Sequence, residues 1–471
     1  MISLFLFLTS WLQAQDTPND FLSADFHKGR RQEVRNAMPP NSVAVFFAAA
    51  VRNRANDVDY IYHQDPDFYY LTGYKEPNSI LLIFSEKQKD RDGNSYDEVL
   101  YAQKRDEKAE QWNGKRLGVE GVIGQLGFER AFNAEEFLKA DINFSKFENV
   151  LFFDFKNDFR DTNDPADIFD LISAFKEKSN YPSDYDAIKQ QLYSMIKSTE
   201  LDNSANVAQT LGRYLNYNQE LKSDKLLVDF VEATDDRSRI EIKEKVVLQL
   251  KSNNLNSAKL EEIMNTLREI KTKEELVLLK KAVEISAVGQ IEVMKAMHPN
   301  MSEMEIQGVH EFVYKKYGAE YEGYPSIVGG GNNGCILHYI ENNKPKVGND
   351  LVLMDLGAEY HGYTADVTRT IPANGKFSKE QKQIYDIVYN AQEAGIKASV
   401  LGASFQAPGQ AASEVVAKGL MKLGIIGSPD EARKYFPHGT SHYLGLDVHD
   451  KGTYQPFKEN TVITVEPGIY I

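Results

Sequence analysis

Cysteine is almost absent from this chain: Cys335 is the only one in 471 residues. A single thiol excludes an intramolecular disulfide framework. No His–Asn or Cys-x-x-Cys pattern accompanies it, so a small buried side chain is a better reading than a nucleophile. Basic clusters are also missing. Lys and Arg number 54 against 69 Asp and Glu, a formal charge of −15 with no Lys/Arg block. A nucleic-acid groove needs a basic face, so that class of partner is excluded. Long apolar runs are nearly absent too. The exception, Ile2–Leu12 (ISLFLFLTSWL), is too short to span a bilayer and has the length of a signal-peptide core. No Lys or Arg precedes it, but it switches sharply to Asp16-Thr17-Pro18. The expectation is a signal peptide over residues 1–14 and a secreted or periplasmic protein, or a cytoplasmic one if the run is not a signal. No other stretch has membrane length, so no membrane association is expected of the mature chain.

What is present is globular material. The chain is 42% hydrophobic and 26% charged, with 25 Tyr and 25 Phe. Its length exceeds one ordinary core, so two domains are expected. From residue 22 to about 175, SVAVFFAAA (Ser42–Ala50), SILLIF (Ser79–Phe84), EVLYA (Glu98–Ala102) and VLFFDF (Val150–Phe155) read as strands, and Arg116–Leu138 as helical. That alternation predicts an α/β layer domain. Residues 180–265 are dense in charge with leucines at helical spacing, and read as helices attached to that domain, which therefore spans 22–265. Thr272 and Glu275 form a capping box opening a long helix, with Leu276, Leu279, Val283 and Ile291 in its apolar stripe. This helix begins a second domain, 271–471, that turns to β signals after Gly323.

The chemistry concentrates in the last third. LVLMD (Leu351–Asp355) and YTADVTRTI (Tyr363–Ile371) read as two strands of a hairpin. If the loop is residues 360 and 361, Asp355 lies opposite Asp366; a bulge at Gly362 would shift that register by one. Two carboxylates facing each other in an apolar ladder repel, and a cation is the economical compensation. PHGTSHYLGLDVHD (Pro437–Asp450) holds His438, His442 and His449 within twelve positions. Its HxxxH spacing is not a zincin helix, because Gly439 stands where the catalytic Glu belongs. TVITVEPGIYI (Thr461–Ile471) reads as a strand leading into Glu466 and broken by Pro467-Gly468. Two Asp, one His and one Glu make an oxygen-rich set suited to Mn, Co, Fe or Zn. Such ions often bind as a pair roughly 3.5–4 Å apart sharing a hydroxide.

The runs IVGGGNNGCILHY, LMDLGAEYHGYTADVTRT, HGTSHYLGLDVHD and TVEPGIY closely resemble the Xaa-Pro aminopeptidase (aminopeptidase P) family of pita-bread metallopeptidases. DFYYLTGYKEPNSILLI and QWNGKRLG resemble that family's N-terminal domain. The resemblance implies an α/β N-terminal domain followed by an α+β pita-bread catalytic domain. It implies two divalent metal ions, manganese before cobalt, zinc or iron, held by Asp355, Asp366, His442 and Glu466, with Asp366 bridging. Glu466 also matches a proton-transferring carboxylate. His338, His438 and His449 match outer histidines that line the substrate site and steady the scissile carbonyl and tetrahedral intermediate. Trp112 resembles a tryptophan that reaches a neighbouring subunit's site in tetrameric relatives, which implies a homo-oligomer.

The implied activity is release of the N-terminal residue from peptides with proline second. An Xaa-Pro bond has no amide N–H and a fixed φ, so peptidases that bind an extended backbone handle it poorly. One departure stands out: the family's fifth ligand, a bridging Glu beyond the EPG segment, has no counterpart, because no Glu follows Glu466. The expectation is an incomplete chain with impaired metal binding and activity. A prolidase acting on Xaa-Pro dipeptides and a catalytically dead binding scaffold are the alternative readings. The large N-terminal domain disfavours a methionine aminopeptidase, and the four intact ligand positions disfavour a metal-free creatinase-like hydrolase.

Overall fold

Strand Ser42–Phe47 pairs antiparallel with Ile80–Lys89 and parallel with Asn149–Phe152. Ile80–Lys89 continues antiparallel to Ser95–Ala102, and Ala131–Asn133 completes the five-stranded sheet in parallel. Val43 and Val45 point into one core, Ala44 and Phe46 into another on the opposite face. A strand covered on both sides has no polar face, which is why these runs read as continuously apolar. The computed structural model describes residues 20–90, 92–155, 158–250 and 253–471. The expected signal segment, residues 1–14, lies outside them. Among the described residues no helix is long and apolar enough to cross a membrane.

The stretch 116–138 is not wholly helical. Helices Gly118–Leu126 and Ala134–Lys139 flank the edge strand Ala131–Asn133, which is too short to show alternation in sequence. The expected helices follow: Ala187–Lys197, Ser204–Tyr217, Lys225–Glu232 and Asp236–Leu250. Leu192, Ile196, Leu211, Leu227, Phe230 and Val246 give them a core of their own. The next helix, Ser257–Glu269, packs Leu260, Ile263 and Met264 into the main core instead.

Thr272 caps the long helix Lys273–Ala296 as expected: its hydroxyl accepts from Glu275 N (3.3 Å) while the Glu275 carboxylate accepts from Thr272 N (2.8 Å). Its buried stripe differs from the predicted one. Leu278, Leu279, Ala282, Ile285, Gly289 and Val293 face inward, while Val283 and Ile291 are exposed. The small residues let the helix approach the sheet closely enough to bond it. Gln290 Nε2 donates to Met354 O (3.2 Å) and Val367 O (2.8 Å), and Ser286 Oγ accepts from Ala358 N (2.9 Å).

That sheet is antiparallel, with Leu351–Leu356 between Ile327–Gly330 and Val367–Pro372. A second one places Ala358–Tyr360 between Tyr321–Glu322 and Tyr363–Thr364. The hairpin turn is His361-Gly362, not 360–361, because Tyr360 pairs with Tyr363. Both turn residues have positive φ, 51° and 87°, the condition for a tight type I′ hairpin. The register is accordingly displaced by two: Asp355 faces Thr368, not Asp366.

The apolar core is continuous between the halves, joining Phe46, Leu71 and Phe128 to Leu279, Val352, Met354 and Tyr363. A charged contact also crosses over. His63 Nε2 meets both oxygens of the buried Glu359 carboxylate at 2.8 and 2.9 Å, and His63 Nδ1 donates to Gln64 O. The Glu359 bond raises the His63 pKa, with burial opposing it. A raised folded pKa means the stabilisation is complete below the ordinary histidine range and lost as pH rises through the raised value. The melting temperature of His63→Gln should therefore fall furthest below wild type near pH 6 and converge on it by pH 9, measured by differential scanning fluorimetry. A pH-independent gap would contradict this.

Candidate metal centre

The carboxylates come together because the Tyr363–Ile371 run is not one strand. It breaks after Thr364 and resumes at Val367, leaving Ala365-Asp366 outside the ladder. At the same level Leu351–Leu356 ends and Gly357 follows. A Cβ on Gly357 would lie 1.8 Å from Ala365 O and 2.9 Å from the Tyr324 ring, so only glycine permits this backbone approach. Tyr324 Oη donates to Asp355 Oδ1 (2.5 Å) and lies 3.3 Å from Asp366 Oδ1, spanning the pair.

His442 and Glu466 arrive from loop segments. Thr461–Ile471 is not one continuous strand: Thr461 bridges Ile270, Ile463 bridges Tyr443, and the antiparallel bonding to 440–444 runs only from Val462 to Glu466. Thr464 couples the two segments: its N donates to His442 O (3.0 Å), its Oγ1 accepts from His442 N (3.1 Å), and its hydroxyl donates to Glu466 Oε1 (2.9 Å). His442 Nδ1 donates to Tyr443 O (2.9 Å), which fixes the tautomer and turns Nε2 toward the carboxylates. Nε2 lies 3.2 Å from Asp366 Oδ2 and 2.9 Å from Glu466 Oε1. Asp366, His442 and Glu466 each offer a ligand atom within 4.8 Å of the others, the one such grouping among the described residues.

The electrostatics of the cluster suit a cation. Burial and the neighbouring Asp366 push the Asp355 carboxyl up to about 7, since a second carboxylate nearby raises the cost of ionising it. Burial disfavours charge on His442, yet Asp366 and Glu466 outweigh it and raise the ring to about 10. A donor set of this kind, imidazole nitrogen plus carboxylate oxygens turned to one point, suits a divalent first-row cation.

The outer histidines differ in their setting. His449 lies against His442 with ring centroids 4.1 Å apart, and burial and the His442 charge lower its pKa. His438 Nδ1 donates to Gly439 O (2.7 Å), so its Nε2 accepts from Tyr470 Oη at 2.9 Å in the neutral ring. His438 also lines a cavity of about 780 Å³ with Phe436, Pro437 and Arg433. His338 is exposed, beyond the Gly331–Cys335 turn, and its charge is felt at His449. Trp112 does not join the cluster in this chain; it stands 88% exposed on helix Glu107–Asn113. Cys335 is exposed rather than buried, with Sγ 3.7 Å from Ile471 O. Tyr324, Thr464 and Tyr470 were not anticipated. Tyr324 sits just before the glycine-rich IVGGG segment, but nothing in its own spacing reveals a bridging hydroxyl.

An oxygen-rich donor set on a two-sheet α+β domain, behind an α/β domain, is an arrangement that metallopeptidases use. The chain matches metallopeptidase family M24 over residues 277–471 and the aminopeptidase P N-terminal domain over residues 27–145. It is 32% identical over 454 residues to the Xaa-Pro aminopeptidase of Escherichia coli strain K12, covering 94% of this chain and 86% of that one. The structure resembles the Pseudomonas aeruginosa aminopeptidase PepP with a TM-score of 0.72 and 28% identity. It resembles E. coli aminopeptidase P with the inhibitor Pro-Leu at 0.70 and 30%. Each match covers 96% of this chain and 88% of the other. The chain belongs to the Xaa-Pro aminopeptidase family of M24 metallopeptidases. It is a hydrolase with the pita-bread catalytic domain, and the family implies divalent metal ions.

Gly357→Ala should lower stability by about 1–3 kcal/mol, the usual cost of overpacking, because the new methyl meets Ala365 O and the Tyr324 ring. Chemical denaturation checks this, and an unchanged midpoint would mean the two segments separate more easily than the packing indicates.

Proposed function

We propose that this protein releases the N-terminal residue from peptides whose second residue is proline, using two divalent ions, manganese first. The observation that carries this is the convergence of Asp366, His442 and Glu466, with Asp355 tied to Asp366 through Tyr324. On this reading these four residues would hold the ions. The similarity to the E. coli Xaa-Pro aminopeptidase supports the substrate class. When bound, the ions supply Lewis acidity, polarising a scissile carbonyl and making water nucleophilic near neutral pH.

The chain's own residues do the rest. Glu466, with one oxygen held by Thr464, takes and returns the proton of the attacking water. His449, packed against His442, presents a ring that donates to oxygen as negative charge develops on it. His338, at the open edge, contacts the substrate beyond the scissile bond. His438, with Phe436 and Pro437 beside it, forms an apolar wall of the kind a proline ring packs against. Trp112, exposed on the N-terminal domain, is available to a neighbouring subunit in a homo-oligomer. Export through the N-terminal apolar run completes the reading.

The test is isothermal titration with Mn²⁺ together with residue release from an Xaa-Pro-Xaa peptide, an Xaa-Pro dipeptide and an Xaa-Ala-Xaa control. Asp366→Asn should abolish metal binding while leaving the fold intact by circular dichroism. Release from the Xaa-Pro-Xaa peptide alone supports the proposal. Dipeptide cleavage alone would indicate a prolidase. Metal binding with no hydrolysis of any of the three would indicate a binding scaffold.

A further inference from the structure

The loop that carries His442 and His449 is anchored by a charge from outside its own domain. Arg268 ends the helix Ser257–Glu269 that joins the two halves, and its side chain is 1% exposed. Its guanidinium reaches three carboxylates. Nη1 donates to Asp67 Oδ1 at 2.8 Å, while Nη2 donates to Asp447 Oδ2 at 2.9 Å and to Asp450 Oδ1. Lys271 Nζ completes the Asp450 carboxylate at 2.7 Å. Lys451 links Asp67 (3.5 Å) to Glu261 (2.8 Å) from the catalytic side.

The placement of these partners matters more than their number. Asp447 and Asp450 bracket His449, at two residues before it and one after. One guanidinium nitrogen therefore pins both ends of the Asp447-Val448-His449-Asp450 turn. The turn has no slack: a Cβ on Gly445 would meet Asp450 Oδ2 at 1.9 Å and Lys271 Nζ at 2.8 Å. Gly445 N also donates to Asp447 O, and Asp450 N to Tyr443 O. The third carboxylate, Asp67, belongs to helix Pro66–Thr72 of the N-terminal domain. A buried guanidinium needs carboxylate partners, which Arg268 meets through Nη1 and Nη2 while its Nε stays unbonded, and its planar fork fixes the relative positions of what it binds. An ammonium in its place carries the charge but cannot span the same partners.

We propose that Arg268 is a positioning residue for the reaction, setting His449 against the metal cluster, and that Asp67 makes the N-terminal domain part of that setting. The assignment rests on the proposed peptidase reading for the role of His449, but not for the geometry. Through these bonds the N-terminal domain holds a catalytic-domain side chain in place without touching the substrate.

Arg268→Lys and Asp67→Asn test this in the full chain. Both should retain the circular dichroism spectrum and the Mn²⁺ stoichiometry of wild type. The kcat on an Xaa-Pro-Xaa peptide should fall by about 10- to 100-fold, the scale of a small misplacement of a reacting group, with KM changed much less. In a His449→Ala background the same substitutions should cause little further loss. Losses that multiply with His449→Ala, or an unchanged kcat, would overturn the proposal. A readout independent of activity separates its failure from failure of the peptidase reading. Carbethoxylation of His449 by diethyl pyrocarbonate, followed by peptide mapping with exposed His298 as reference, should be several-fold faster in both variants. An unchanged rate would overturn the positioning claim even if the enzyme proves to have another substrate, whereas a changed rate in a protein inactive on Xaa-Pro peptides would overturn only the peptidase reading.

Discussion

Asp366, Glu466 and the His442 imidazole directed at one point, with Asp355 tied beside them through Tyr324, are a constraint that the catalytic domain is built around. Left to themselves Asp355, Asp366 and Glu466 repel, and burial of the first two removes the water that would screen them. The fold holds them together by features that have little other use. A strand is interrupted at Ala365-Asp366, a glycine at 357 lets two backbones touch, and a tyrosine hydroxyl is shared by two aspartates. Thr464 ties His442 to Glu466 through both backbone and side chain. Each device trades regular hydrogen bonding for proximity, and a divalent cation returns the electrostatic cost.

Much of this was legible before any coordinates. Asp355, Asp366, His442 and Glu466 stand out because carboxylates within apolar runs and a histidine-rich loop are hard to explain structurally. The α/β domain was legible because strands buried on both faces carry no polar positions. What was missed has physical reasons. The hairpin register turned on which residues tolerate positive φ, and His361 took a position that simple pattern reading gave to Tyr360. Thr461–Ile471 alternates like a strand, and its first half does bond in antiparallel register with 440–444, through Val462 O, Thr464 N and Glu466 N, but the pairing stops there and Tyr470 N turns to Tyr435 O. Tyr324 acts through a single hydroxyl, which leaves no periodic trace. The stripe on Lys273–Ala296 was misread because three of its inward positions, Ala282, Ser286 and Gly289, are small: Ser286 bonds the sheet, while Gly289 lies against His310 and Tyr314 of the next helix.

The two domains are joined as parts of one body rather than as beads on a linker. A continuous apolar core, the His63–Glu359 pair and the carboxylates around Arg268 all cross the boundary. The capping box at Thr272 begins the catalytic domain's first helix only a few residues after Arg268, so the joining segment has little freedom to swing. An N-terminal domain fixed in this way can contribute to the site through geometry alone.

The four helices between Ala187 and Leu250 stand apart from that arrangement. Their leucines and Phe230 close on one another and not on either sheet. A segment that satisfies its own hydrophobic demand imposes few packing requirements on its host, so its length and surface are free to drift while the host stays fixed. Evolution can treat such a module as an accessory, lengthening it, trimming it or recruiting it for contacts elsewhere, without renegotiating the geometry that holds the carboxylates together.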